Sequence, residues 1–383
     1  MPSPNPQCFH LSASSIQSYK ACPQRFRLAY REGIRPDRDT ESQRQGTAWH
    51  AAQEAFANAG GNLEAGLQSL ASSYAEIPTW ADRAAWALEH HTLVVCFGAY
   101  HWYWQNDPVE FLASELPFNL PLHEPTTGMP LSMDSVQRVG KIDHLIRRDG
   151  AVCVLERKTT SKGIAPDSDY WQRWQKDTQA SMYALALIDL RDSGQIPFEV
   201  RDGERFGNTL VDILHKPTIK PAWLSQKDTA ALIESGKYMD QEFVVEGGVE
   251  DLRINGEKAE VEEGKKGFAI KETVEMYGAR LLQDIYERPH FYFARREIAR
   301  TDKELRAFRK ELYAIYRAQS EFARTGCWFS NESNCRATFS CQYIPICFGP
   351  GADSVCDGTT TPPGFKRLFS LPVLESANVL ETE

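Results

Sequence analysis

The spacing of hydrophobic residues changes along the chain. Up to about residue 104, apolar and aromatic side chains recur at the three- and four-residue intervals of amphipathic helices. Between about residues 115 and 158 the residue pattern is typical of strands, and Arg148-Asp149-Gly150 is typical of a hairpin turn. Helical segments then alternate with short apolar strands. This order predicts a mixed α/β fold.

The individual elements follow from these periodicities and from their capping residues. The predicted helices cover residues 12–30, a segment capped by Thr47 that carries Trp49 and His50, and residues 80–104, 176–190, 271–286 and 301–324. The predicted strands cover residues 115–122, 137–147, 151–158, 210–215 and 290–298. Thr301 and Glu304 have the spacing of a capping box. Prolines within 115–122 predict an edge strand.

Two segments lack a clear pattern. Residues 216–270 are polar and acidic, and we interpret them as an insertion or lid. Residues 357–383 are predicted to be a disordered tail.

Composition narrows the class of protein. The 383 residues are 42% hydrophobic and 25% charged, which is typical of soluble globular proteins. No apolar run approaches the ~20 residues of a membrane span, and the start of the chain lacks the pattern of a secretory signal. We therefore expect a cytoplasmic protein, in a reducing environment, without a membrane partner.

The charge is unevenly distributed. The net charge is −9, with acidic residues concentrated in 240–263, whereas 19–38 and 295–324 are basic. This segregation is compatible with a basic groove on an acidic body, and equally with solvated helix faces.

Two carboxylates and a lysine stand out in the predicted hairpin. Asp143 lies on its first strand, and Glu156 and Lys158 lie two residues apart, on one face of its second. Such carboxylates are suited to bind Mg²⁺ or Mn²⁺, and the lysine to orient or deprotonate water in phosphodiester cleavage. An ordinary charged surface hairpin has the same short pattern, so this pattern alone leaves both interpretations open.

The surrounding residues extend the pattern. Gln179 and Tyr183 are four apart on the following helix and share one face. His50 lies early in a helix headed by Gly46-Thr47-Ala48-Trp49, where a packed or capping histidine is the alternative to a ligand.

In this order, the motifs resemble the RecB-like nucleases of the PD-(D/E)XK superfamily. The shared motifs are His50, Gly140-x-x-Asp143, Glu156-x-Lys158 and Gln179-x-x-x-Tyr183, with Ser12-x-Ser14 and Cys22-Pro23 at the start. The resemblance implies a restriction-endonuclease-like core, a central mixed sheet flanked by helices. It covers a single nuclease domain, 11–350, with a helical part at about 47–108, a catalytic core at about 111–300 and a cluster segment at 327–347.

The resemblance also implies roles for single residues. His50, Asp143, Glu156 and the backbone carbonyl of Arg157 would bind the metal, and Lys158 would be the catalytic lysine. Gln179 and Tyr183 would position the nucleic acid or the catalytic centre. Glu115 matches an acidic strand residue that precedes the core motifs.

Four of the nine cysteines lie close together near the C-terminal end. They are Cys327, Cys335, Cys341 and Cys347, the last three separated by five residues each. Four thiolates suit a [4Fe–4S] cluster or a Zn²⁺ site, with either Cys327 or the distant Cys22 as the fourth ligand.

The iron–sulfur branch of the RecB-like family, with its AddB-type and CRISPR-associated members, resembles the arrangement that includes Cys22. It implies a structural [4Fe–4S] cluster held by Cys22, Cys335, Cys341 and Cys347. The equal spacing of the last three departs from the branch's commonest pattern, which leaves the cluster geometry open. Ordinary thiols are expected at the remaining positions, Cys8, Cys96, Cys153 and Cys356.

DNA is the expected partner. Arg25 and Arg27 in the first basic segment are candidate backbone contacts, and Trp171 and Trp174 are candidates for stacking on unpaired bases, with simple packing as their alternative. The resemblance favours an exonuclease, with single-stranded DNA as a candidate substrate. The chain contains no Walker A motif, so a helicase or recombination partner would be a separate protein. The competing interpretation is a non-catalytic or partner-dependent DNA-binding module of the same fold.

Overall fold

The computed structural model describes residues 8–107, 109–264, 267–337, 340–349 and 360–369. The part before residue 104 is mainly helical. Its elements are β1 (Phe9–Leu11), α1 (Ala13–Ala21), α2 (Pro23–Phe26), a π-helical turn (Arg27–Arg31), β2 (Ile34–Pro36), α3 (Glu41–Asn58), α4 (Leu63–Ser73) and α5 (Arg83–Tyr103).

The middle of the chain contributes most of the central sheet. Its elements are β3 (Glu110–Pro121), β4 (Val136–Arg148), β5 (Ala151–Thr160), α6 (Asp169–Gln172), a 3-10 turn (Arg173–Lys176), α7 (Thr178–Asp192) and β6 (Arg205–His215).

The segment predicted to be an insertion has its own small core. Its elements are α8 (Gln226–Ser235), β7 (Lys237–Tyr238), β8 (Gln241–Glu242), β9 (Val245–Glu246), a 3-10 turn (Val249–Asp251), β10 (Arg253–Ile254), β11 (Glu257–Lys258), β12 (Val261–Gly264) and β13 (Gly267–Ile270). Leu232, Phe243, Ile254 and Ile270 are buried together there.

The last part returns to the sheet and then to the start of the chain. Its elements are α9 (Val274–Glu287), α10 (Pro289–Tyr292), β14 (Phe293–Ile298), α11 (Asp302–Thr325), a 3-10 turn (Glu332–Asn334), α12 (Ile344–Cys347) and β15 (Phe365–Arg367).

The central sheet is mixed and has six strands. The order is β1-β4-β5-β6-β14, and β3 pairs with β4 on its other side. β4 and β5 form an antiparallel hairpin, in which Asp149 and Gly150 both have positive φ, as a tight two-residue turn requires. β5 and β6 are parallel, and β14 is antiparallel to β6. The predicted mixed α/β class is confirmed.

Helices cover the sheet with two separate hydrophobic cores. On one face, α7 and α11 pack on β4 and β5 through residues such as Val154, Leu185 and Leu312. A second core joins α3, α5 and α9 to the ends of β6 and β14. The two cores hold the middle strands rigidly, which is what a precise site on those strands needs.

The strands β4 and β5 separate in the middle of the sheet. β4 pairs with β1 over residues 136–138, which lie opposite 9–11, and pairs with β5 only over 144–148. Beyond Leu155, β5 continues beside β6 alone. We call residues 139–143 of β4 and 156–160 of β5 the fork.

Three predicted boundaries are wrong. The helix predicted over 12–30 breaks at Cys22, which is extended (φ −167°, ψ 116°), because Pro23 disfavours helical geometry in the residue before it. The helix expected to begin at Thr47 is capped by Thr40 and Gln43 instead. The strand expected from His290 begins at Phe293, because Pro289 opens a short helix.

The prediction of a disordered tail over 357–383 is wrong for part of that range. Phe365–Arg367 pairs antiparallel with Ile34–Pro36. The Phe365 ring also stacks on Tyr343, with centroids 6.0 Å apart. Residues 357–359 and 370–383, and with them Cys356 nearby, lie outside the described residues.

Other predictions hold. Thr301 and Glu304 form the capping box that opens α11, and β3 pairs with β4 alone among the described strands, as an edge strand does. In the described residues, no helix combines the length and apolarity of a membrane span.

Candidate active site at the strand fork

The fork brings the three predicted catalytic side chains together. Glu156 is fully buried, and Lys158 Nζ lies 2.5 Å from its Oε1. Lys158 also donates a hydrogen bond of 2.9 Å to Gln179 Oε1 on α7. Asp143 faces them from β4, close enough that its charge raises the pKa of Glu156.

Helix α3 brings His50 to the same place. His50 Nδ1 lies 3.2 Å from Asp143 Oδ2. The helix lies close to β5 at Gly46, where a Cβ would be in ordinary van der Waals contact, 3.8 Å from Thr159 Oγ1. The structure therefore favours a site histidine over a purely packed one.

Tyr183 closes the fork from the α7 side. A Cβ added to Gly140 would lie 3.3 Å from the Tyr183 ring and 2.5 Å from the ring of Phe118. Glycine at position 140 thus permits two aromatic rings to approach the strand. Burial raises the pKa of Tyr183 well above its usual range, so its hydroxyl stays protonated at neutral pH.

Asp177, which is not among the predicted site residues, caps the start of helix α7. The Asp177 carboxylate accepts hydrogen bonds from the backbone N–H groups of Gln179 (2.8 Å) and Ala180 (2.9 Å). It also helps to raise the pKa of Lys158. The signal was available, since Asp directly before a predicted helix is a preferred N-cap.

The electrostatics of the fork are those of a tightly packed charged group. Burial raises the pKa of Glu156 to about 7, against the opposing effect of Lys158. Burial would also raise the pKa of Asp143, but His50 and Lys158 outweigh it and the pKa is lowered. For Lys158, burial is outweighed by the nearby carboxylates, Glu156 above all, and its pKa is raised.

The fork has the donors that a hard divalent ion requires. Glu156 Oε2 is buried and has no hydrogen-bond partner among the described residues. An unsatisfied buried carboxylate is costly, and a cation would relieve that cost. Carboxylate oxygens with an imidazole nitrogen suit Mg²⁺ or Mn²⁺. Across the described residues, however, no three His, Cys, Asp or Glu side chains are already grouped to share one ion.

A comparison with protein-family models decides the family. The model for the PD-(D/E)XK nuclease superfamily matches residues 10–348, which include both strands of the fork and all of the central sheet except Phe9. The chain belongs to the PD-(D/E)XK nuclease superfamily. No curated protein sequence is significantly similar to the chain.

Membership explains the combination of fold and fork. PD-(D/E)XK proteins are nucleases that typically use Mg²⁺ or a similar divalent ion. The mixed sheet flanked by helices is consistent with that fold. The match is to the superfamily as a whole, so the RecB-like iron–sulfur branch stays a prediction.

Two predicted residues are oriented differently from the rest of the PD-(D/E)XK site. The Arg157 side chain is buried on the other face of β5, with Nε 3.8 Å from Asp212 Oδ2, so only its backbone belongs to the fork. Glu115 forms an ion pair with Lys141 at the strand edge.

The tryptophans predicted to stack on bases are buried instead. Trp171 is 4% exposed and Trp174 is 1% exposed, in a cluster that packs beneath Ile164. Trp171 Nε1 donates a 2.9 Å hydrogen bond to the Ile164 carbonyl. The prediction of base stacking is wrong because neither ring offers a free face, and their alternative role in packing holds.

The two predicted arginine contacts differ from each other. Arg25 is exposed, whereas Arg27 is half-buried and forms an ion pair with Glu32 at 3.2 Å. Arg25 is therefore the better placed of the two for an external anion.

The cysteines from both ends of the PD-(D/E)XK domain lie near one another. Asn331 N donates a 3.4 Å hydrogen bond to Cys22 Sγ, and Cys341 N donates one of 2.8 Å to the Cys335 carbonyl. Desolvation raises the pKa of the Cys335 thiol, and the neighbouring Cys341 and Cys22 raise it further. The structure thus brings Cys22 to the C-terminal cysteines.

The other cysteines of the segment and core are placed as follows. Cys347 packs with Cys341 on the cluster around Tyr343. Cys327 is exposed. Buried positions are occupied by Cys8, Cys96 and Cys153.

Proposed function

We propose that this chain is a metal-dependent deoxyribonuclease that hydrolyses phosphodiester bonds at the fork. The observation that carries the proposal is the meeting of Asp143, Glu156 and Lys158 where β4 and β5 separate, with Lys158 hydrogen-bonded to Gln179. The superfamily match supports a nuclease, and we add to it that the substrate is DNA and the metal is Mg²⁺ or Mn²⁺.

His50, Asp143, Glu156 and the Arg157 carbonyl are the groups that would hold Mg²⁺ or Mn²⁺. Such an ion would polarise the phosphoryl oxygen and lower the pKa of water. Glu156 would exchange its contact with Lys158 for the ion. The Lys158 ammonium, still held by Gln179, would then be available to orient water and to offset negative charge in the transition state. Tyr183, protonated and fixed between Gly140 and Phe118, would position the substrate.

The test is DNA cleavage with Mg²⁺ or Mn²⁺ by wild type and by Lys158→Ala. We expect the variant to lose about 10²- to 10⁴-fold in rate, the range for a positioned catalytic group. Lys227→Ala, on the exposed face of α8, is the matched control and should cut normally. A wild type that is folded but inactive, or a Lys158→Ala variant of full activity, would favour the non-catalytic or partner-dependent DNA-binding module.

We propose in addition that the enzyme is an exonuclease that prefers single-stranded DNA. This proposal is supported by the resemblance to RecB-like nucleases. Cleavage of linear but not covalently closed circular DNA is the expected result, and nicking of the circle would indicate an endonuclease. Addition of a helicase or recombination protein tests whether a partner is needed.

We propose further that Cys22, Cys335, Cys341 and Cys347 hold a structural iron–sulfur cluster, with Zn²⁺ as the alternative. The proximity of Cys22 to Cys335 and Cys341 supports this set over one that uses the exposed Cys327. No disulfide joins cysteines in the described part of the chain, which fits a reducing cytoplasm.

Colour and metal content separate the two alternatives. Anaerobically purified protein with a cluster should be brown and absorb near ~400 nm. A colourless, active protein that contains zinc would contradict the cluster and leave the nuclease proposal intact.

A further inference from the structure

A basic cavity lies beside residues 327–347, which we call the cysteine segment, and away from the fork. It has a volume of about 660 Å³. Four cations line it, Arg25, Arg35, Arg38 and Lys366, against the single carboxylate of Asp39. Since the protein as a whole carries a net charge of −9, this concentration of positive charge is local and unusual.

The cations of this cavity are not neutralised by the fold. Within the described residues, none of the four forms an ion pair with a carboxylate. Among the described residues, Arg35 donates hydrogen bonds to the carbonyls of Ala29 and Ile34 and to the Tyr343 hydroxyl. Arg25, Arg38 and Lys366 are exposed. Four cations against one carboxylate leave a net positive charge in the cavity, and an external anion would relieve the repulsion between them.

The cavity is assembled from segments far apart in the chain. The strand pair β2–β15 places Lys366 opposite Arg35 in register. The Tyr343 hydroxyl donates a 2.8 Å hydrogen bond to the Ile34 carbonyl and so ties the cysteine segment to the same wall. Ser18, 7% exposed, also lines the cavity, and its Oγ has no hydrogen-bond partner in the described structure. The wall therefore offers hydroxyl as well as cationic donors, the set that phosphate oxygens accept from.

Helix α3 connects this cavity to the fork. Gln43 lines the cavity, and His50, seven residues later, lies on nearly the same side of the helix. Seven residues of α-helix rise about 10 Å. That is about the length of three nucleotide steps, if the bound strand keeps the ~3.4 Å rise of stacked bases.

We infer that this cavity binds backbone phosphates of the DNA substrate a few nucleotides from the bond that is cut. The inference rests on the proposed nuclease function and deepens it, because it assigns Arg38 and Lys366, together with Arg25, to substrate anchoring. Phosphate contacts of this kind hold the strand in register without reading its sequence.

The experiment measures binding of a fluorescein-labelled single-stranded 20-mer by anisotropy, with EDTA present so that no strand is cut, at several NaCl concentrations. Each lost phosphate contact on a single strand should reduce the slope of log K against log salt by about 0.7. The triple variant Arg25→Gln/Arg38→Gln/Lys366→Gln should therefore lose about 2 in slope. At 0.1 M salt its affinity should fall about a hundredfold.

Two controls separate charge from folding. Lys227→Gln removes one exposed positive charge from α8 and should leave the slope unchanged. Arg25→Lys/Arg38→Lys keeps the charge and should retain most of the slope, whereas a merely structural role for these arginines predicts a loss.

The outcomes are distinguishable from those of the nuclease proposal. If the wild-type protein cuts DNA and the triple variant keeps the same slope of log K against log salt, this inference alone is overturned. A wild type that neither binds nor cuts DNA would overturn the proposed function and this inference with it.

Discussion

The fork and the cysteine segment hold their side chains in opposite ways. Glu156 and Lys158 lie on an inner strand of the sheet, Glu156 fully buried and Lys158 half-buried, and adjacent helices supply Gln179 and His50. In the part of the cysteine segment that the structure describes, the regular elements after α11 are a 3-10 turn and the one-turn helix α12. Its link to Cys22 is a few hydrogen bonds, among them those of Asn331 and Asn334 to the Ala21 carbonyl.

The two regions therefore depend on the surrounding fold to different degrees. The fork is organised by strand register and by two hydrophobic cores, so Glu156, Lys158 and Gln179 are in contact before any ion binds. The cysteine segment has a small core, in which Tyr343 and Ile346 pack with Leu28 and Ile34, so a bound cluster or metal would contribute much of its stability. Removing a ligand should therefore affect the two regions differently.

The largest effect on stability should follow loss of a cysteine ligand. A cluster held by Cys22 and Cys335 closes a loop of some three hundred residues, and its loss should cost about 3–5 kcal/mol. Cys335→Ser should lower the melting temperature by roughly 5 °C and release iron, while cleavage at low temperature persists because the fork is intact.

The matched control is Cys327→Ser, which changes an exposed thiol of the same segment. It should keep both iron and melting temperature. Equal losses in the two variants would mean that Cys327 is a ligand, and unchanged values in Cys335→Ser would contradict the four-cysteine site.

A second effect is the pH dependence of the metal-free protein. Burial raises the pKa of Glu156 to about 7, above the ~4.3 of an exposed glutamate. A carboxyl with a raised folded-state pKa contributes stability below its unfolded pKa and loses it as pH rises through the folded one. In EDTA, the stability of wild type relative to Glu156→Gln should fall by up to about 3 kcal/mol between pH 4.5 and pH 7.5.

Chemical denaturation at a series of pH values measures this difference. Saturating Mn²⁺ should remove most of it, because the ion compensates the ionised carboxylate. A difference that does not vary with pH would show that Glu156 is ionised throughout the range.

The smallest effect concerns packing at the fork. In Gly140→Ala the new Cβ would lie 2.5 Å from Phe118 and 3.3 Å from Tyr183. Overpacking of this kind costs about 1–3 kcal/mol, and it should also slow cleavage by displacing Tyr183. Gly98→Ala, where a Cβ would meet nothing within 4 Å in helix α5, should be neutral or slightly stabilising. Equal stability of the two variants would show that the fork is looser than these distances indicate.

The same contrast explains what could be predicted from sequence. Glu156 and Lys158 follow from period-two geometry on one strand, and Gln179 and Tyr183 from one helix face, because both are local relations. The burial of Trp171 and Trp174 and the pairing of β15 with β2 depend on contacts between distant segments. Periodicity does not encode such contacts, so the expectation of base stacking is wrong, and that of a disordered tail is wrong where β15 pairs with β2.

The most direct test of the central claim is Mn²⁺ binding, followed by electron paramagnetic resonance, in wild type, Asp143→Asn and Cys335→Ser. Asp143 would bind the ion, while Cys335 lies in the other region. We predict that wild type and Cys335→Ser bind Mn²⁺ at the fork and that Asp143→Asn loses this binding. Mn²⁺ binding that persists unchanged in Asp143→Asn would contradict a catalytic metal site where β4 and β5 separate.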